Sequence, residues 1–93
     1  MNQQDILRAL DECESTIRSH IPLAKPARAP RSVTNHSESV AVSHMLWMII
    51  ETRDFVAESR IEKAFRWLGF IQGVLWSFGF VTIDNAKDTN RPR

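Results

Sequence analysis

Ninety-three residues make one small domain, too short to bury a large core. A net charge of +1 argues against a protein that wraps duplex DNA, and a single cysteine, Cys13, excludes an internal disulfide framework and fits a reducing compartment. The opening "MNQQDILRAL" has neither a basic n-region nor an apolar h-region, so it does not read as a secretory signal, and the expected location is the cytoplasm.

In chain order, residues 3 to 19 read as a helix. Ile6, Leu10, Cys13 and Ile17 form one narrow apolar stripe, like a coiled-coil seam. Asp5, Asp11, Glu12 and Glu14 against Arg8 and Arg18 leave this helix at −2, and Pro22 stops it. Residues 22 to 36, "PLAKPARAPRSVTNH", are a linker whose prolines recur every four residues. With Lys25, Arg28 and Arg31 it carries +3 and is expected to be extended and mobile. It reads either as a solvated tether or as a segment that folds over an anionic partner.

Asn35 or Ser37 can cap a second helix running to about Glu58. Its main face is Ala41, Met45, Met48, Ile49, Thr52, Phe55 and Val56. A second row holds Val40, His44, Trp47 and Glu51. Ser59 and Glu62 have the spacing of a capping box for a third helix, from about Arg60 to Phe78. Ile61, Phe65, Leu68, Ile71 or Gln72, Leu75 and Phe78 are its expected face toward the second helix. Gly69, Gly73 and Ser77 form another line, which suggests close approach by a second backbone. Gly79 is a natural C-cap, and Thr82 can cap a short fourth helix ended by Pro92.

The reading is all-α: an N-terminal amphipathic helix (1–21), a basic Pro-rich linker (22–36), and a helical hairpin with a short C-terminal helix (37–93). A simple hairpin leaves Trp67, Phe70, Val74 and Trp76 bare, so either the first helix or another subunit must cover them. A homo-oligomer is therefore expected, with Gly69, Gly73, Trp76, Leu10 and Ile17 at its interface. Residues 67 to 83 are uncharged over 17 positions. That stretch is broken by Gln72, Ser77, Thr82 and three glycines, so a buried interface helix is preferred over a membrane span.

Catalytic signatures are missing, and Cys13 sits on an apolar seam, as a small buried hydrophobe does. His20, His36 and His44 lack ligand-like spacing, so neither metal nor cofactor is expected. The better site candidates are polar groups set in the apolar hairpin: His44, Arg66 and Gln72, beside Trp47, Trp67 and Trp76. Arginine offers a planar fork for phosphate, glutamine an amide edge, tryptophan a stacking face. The structural alternative pairs Arg66 with Glu51 or Glu58 across the hairpin and makes the rest packing.

"SHMLWM" (43–48), "EKAFRWLGFIQG" (62–73), "VTID" (81–84) and "NRP" (90–92) resemble a group of small proteins of tailed bacteriophages and prophages. Those chains share His-x-x-Trp-Met and Lys-Ala-x-Arg-Trp-Leu-Gly-Phe-x-Gln-Gly segments and end in Arg-Pro. The resemblance covers residues 40 to 92 and points at His44, Trp47, Met48, Lys63, Arg66, Trp67, Gly69, Gln72, Gly73, Arg91 and Pro92. It implies no specific activity. It does imply an accessory phage protein that acts by binding, not catalysis. The first expectation is capture of an anionic, nucleotide-like signal such as a cyclic nucleotide, by Arg66, His44, Gln72, Lys63 and Arg91 with Trp47 or Trp67 stacking on the base. The second is inhibition of a host protein through the linker and first helix. A structural or membrane-associated phage protein is the third.

Overall fold

The structure is a computed structural model and describes residues 1–32 and 34–90. Four helices run α1 (Gln3–His20), α2 (Glu38–Ala57), α3 (Ile61–Ser77) and α4 (Ile83–Asn90), with no strand among the described residues. The protein is all-α. No helix among those residues is long and apolar enough to cross a membrane.

Each helix begins and ends for a local reason. Asn2 caps α1 by accepting from the Asp5 backbone N–H at 2.9 Å, while the Asn2 N–H donates to the Asp5 carboxylate at 3.2 Å. Ser37 caps α2 through the Val40 N–H. Thr82 caps α4, with Asn85 returning the contact to the Thr82 backbone and hydroxyl. Both hairpin helices end in Schellman motifs. After α3, Gly79 adopts φ +78 and the Phe80 N–H reaches Leu75 O at 2.9 Å. After α2, Ser59 takes the left-handed position at φ +62 and the Arg60 N–H reaches Phe55 O at 2.8 Å. This corrects the expected Ser59–Glu62 capping box. Ser59 is consumed as the stop of α2, and α3 starts at Ile61 with Arg60 at the N-cap position and no side-chain cap.

α2 and α3 form the hairpin and α1 folds back over it, contacting both. Ile6, Ala9, Leu10 and Ile17 of α1 are fully buried. Leu10 and Ile17, expected between subunits, lie in the core of their own chain. The seam of α1 has found a partner within the same chain. Arg53 on α2 clasps α1 from the side, donating to Asp11 at 2.7 Å and Glu14 at 2.8 Å. Because α2 packs on both α1 and α3, Val42 and Leu46 are buried in addition to the expected Met45, Met48, Ile49, Thr52, Phe55 and Val56.

The inward face of α3 is Ala64, Leu68, Ile71, Gln72 and Leu75. Phe65 and Phe78, expected inside, are 48% and 37% exposed. Small Ala64 takes the inward position, which suits a tight crossing of helices better than a phenyl ring. α1 does not cover the far side of α3: Phe70 and Trp76 remain 56% and 53% exposed.

The linker is not a free tether. In extended chain, N–H groups two residues apart point the same way. Pro26 and Pro30 have no N–H, so the donors fall between them. Ala27 N–H donates to Ser43 O at 3.0 Å and Ala29 N–H to His44 Nδ1 at 2.9 Å, laying this stretch along α2. Upstream, the Arg18 guanidinium donates to Ala24 O and holds the turn after α1.

Candidate functional site

The docked linker and the α2–α3 hairpin enclose a groove of ≈ 790 Å³. The linker side contributes Arg28, Arg31 and His36, and α2 contributes His44, Trp47 and Met48. α3 and its end contribute Arg66, Trp67, Phe70, Val74 and Phe78. Its described lining has three guanidinium groups, two imidazoles and no carboxylate. Such a lining favours an anion, and the aromatic residues favour a flat apolar portion on the same ligand.

The rings form a connected series. His44 lies 5.3 Å from Trp47, Trp47 lies 6.1 Å from Trp67, and Trp67 meets Phe55 edge-on at 4.8 Å. Cations flank it: Arg28 sits 5.1 Å above Trp47, and Lys63 lies 4.5 Å from Phe55 and 5.8 Å from Trp67. Phe70 and Phe78 stand exposed at the groove wall.

Arg66 differs most from the sequence reading. Its side chain is 63% exposed and meets Glu62, one turn earlier on the same helix, at 3.2 Å. It is not embedded, and its partner is neither Glu51 nor Glu58. A helix apolar on most sides still has a solvent side when α2 and α1 cover only part of its circumference, and Arg66 lies there. Its guanidinium stands solvated on the groove wall in an exposed pair of little strength.

His44 is half-buried and accepts the Ala29 N–H on Nδ1, so its proton resides on Nε2. Burial pushes its pKa below the ordinary 6.5, and the positive charges of Arg28 and His36 push the same way. The neutral ring is the form that holds the linker.

Gln72 lies elsewhere. It is buried toward α4, where its amide and that of Asn90 donate to each other at 2.6 and 2.8 Å. It borders a separate cavity of ≈ 480 Å³ with Glu12, Cys13, Phe80 and Asn85. Burial, with a smaller contribution from Glu12, pushes the Cys13 thiol up to about 12, which makes it a poor nucleophile. Lys63 is engaged by the rings and does not line the groove. Arg91 lies outside the described residues.

Of the expected ligand residues, the groove thus gathers His44, Trp47, Arg66 and Trp67. Arg28, Arg31 and Phe70 join them without having been singled out as site residues. The excess positive charge of the linker was the available signal for the first two. Of the expected interface residues, Gly69, Gly73 and Trp76 do face outward, and a Cβ added at either glycine would meet nothing within 4 Å. In comparisons with protein-family models, curated proteins and solved structures, the chain matches none of them.

Proposed function

We propose that this chain is a non-enzymatic binding protein, phage-encoded, that counters a host defence by capturing an anionic, nucleotide-like signal in the host cytoplasm. The observation that carries the reading is the groove lining, free of carboxylates among the described residues, where Arg28, Arg31 and Arg66 stand beside Trp47, Trp67 and Phe70. Guanidinium forks suit phosphate oxygens and ring faces suit a base. The resemblance of residues 40–92 to small phage proteins supplies the biological setting. His44, Trp47, Arg66 and Trp67 belong to that shared stretch.

Calorimetric titration with cyclic dinucleotides, cyclic trinucleotides and ADP-ribose tests the reading, with thermal melts run alongside. One of these should bind, and Arg66→Lys should fold normally while losing about tenfold in affinity, because lysine cannot bond in bidentate fashion. No binding by any of them rejects it.

The outward side of α3 favours a second reading, inhibition of a host protein. Phe65, Phe70 and Trp76 are about half exposed around open Gly69 and Gly73, a surface that a partner helix could cover. The same surface supports self-association. Co-purification of one host protein in stoichiometric amount would favour inhibition over signal capture.

A further inference from the structure

The stretch Ala27–Arg31 crosses α2 and forms one wall of the groove. Two backbone donors hold it there. One goes to a helix carbonyl of Ser43, which does not titrate. The other goes to His44 Nδ1, the one side-chain acceptor in this contact among the described residues and a group that gains a proton in mild acid. We propose that His44 is a pH-sensitive latch: its protonation releases Ala29 and loosens the strap from Arg28 to Arg31, with Ala27 still tied to Ser43 O, and so opens that wall of the groove.

The chemistry is local. A neutral imidazole presents a lone pair at Nδ1 to the Ala29 N–H. A protonated one presents N–H at both nitrogens, so donor meets donor at 2.9 Å and the bond must break. No anion in the described lining would compensate the new charge. From the strap come Arg28 and Arg31, from the stretch before α2 His36, and from α3 Arg66. All carry or can acquire positive charge. Arg28, resting over Trp47 at 5.1 Å, is carried by the same strap and should leave that ring with it. The sign follows from the direction of the shift. With the folded pKa below 6.5, the bond contributes fully above 6.5 and is lost as pH falls through the folded value. The latch does not depend on a ligand. Only its bearing on affinity rests on the anion-binding reading.

The test is a nuclear magnetic resonance titration of the full chain from about pH 7.5 to 5, following the His44 ring and the Ala27 and Ala29 amides. The Ala29 amide should move to an unbonded position with the midpoint of the His44 ring. Its exchange protection should fall roughly five- to tenfold across that midpoint. His44→Phe, which keeps a ring but no acceptor, should show the released Ala29 signal at every pH while the α2 amides stay protected. The proposal is overturned if Ala29 is unmoved through the His44 titration, if His44 stays neutral until the helices unfold, or if folded His44→Phe keeps the wild-type Ala29 signal. Should His44→Phe not fold, the wild-type titration decides alone. Since no nucleotide is present, failure here leaves the anion-binding reading intact, and failure of nucleotide titration leaves the latch intact.

Discussion

Gln72 and Asn90 face each other amide to amide, and each donates one hydrogen bond to the other. Gln72 is 7% exposed, so its amide needs this partner. The pair ties the last turn of α4 to the core of the hairpin. A polar residue inside a very apolar helix is here a fastening point for another helix. Gln72→Ala should therefore lower stability by about 1–3 kcal/mol and fray α4, because it removes one amide and strands the other. Urea unfolding of Gln72→Ala, Asn90→Ala and the double variant checks this. The two single losses should not add, since either one breaks the same pair. Full additivity would mean that the amides act separately.

Arg66 should behave in the opposite way. An exposed ion pair one turn apart on a helix contributes little, and Glu62 holds Arg66 in solvent. Arg66→Ala should change unfolding stability by less than about 0.5 kcal/mol. A thermal melt of this variant checks the assignment. A loss of several degrees would put Arg66 back among the structural residues.

Ser59 occupies the left-handed position that ends α2, where a side chain is strained and glycine is not. The Arg60 N–H reaches Phe55 O at 2.8 Å and the Ser59 N–H reaches Val56 O at 3.0 Å, so the motif is otherwise well made. Ser59→Gly should raise stability by about 0.5–1 kcal/mol, the relief of strain exceeding the added freedom of the unfolded chain. Chemical denaturation of the variant, compared at equal slope, reads this directly.

Cys13 should be inert in the folded protein. With its thiol pushed up to about 12, roughly one molecule in ten thousand carries a thiolate near pH 8. An aromatic disulfide reagent should react slowly under native conditions and at once in denaturant. Fast reaction without denaturant would show that α1 opens readily from the hairpin.

What the sequence made legible followed from strong local signals. The stripe at Ile6, Leu10, Cys13 and Ile17, the prolines of the linker, the cap at Ser37 and the stop at Gly79 each act within a turn or two, and each appears where the pattern puts it. The orientation of α3 was less legible. Glu62, Arg66 and Ser77 mark its outside only sparsely, so one residue of rotation separates Phe65 from Ala64 as the inward position. The site was half legible for the same reason. His44, Trp47 and Trp67 meet because the hairpin brings them together, whereas Gln72 points away and Arg28 arrives through a tertiary contact with α2. Proline spacing shows an extended chain. It does not show which surface that chain will lie on.

The outer side of α3 gives the last test. Within one protomer, a Cβ at Gly73 meets nothing within 4 Å, and glycine inside a helix costs about 1 kcal/mol relative to alanine. Considered alone, then, Gly73 is a weakness that Ala or Leu would repair. If α3 packs against α3 of another copy, the missing side chain has a purpose, because it lets the two backbones approach beside Phe65, Phe70 and Trp76. The two cases separate cleanly. Gly73→Ala and Gly73→Leu should both keep the helical fold. Gly73→Leu should shift the mass measured by light scattering toward the monomer at micromolar concentration, and Trp76→Ala should do the same. If wild type is itself monomeric at that concentration and Gly73→Leu melts higher, the open stripe is unused between copies, and self-association through α3 is rejected.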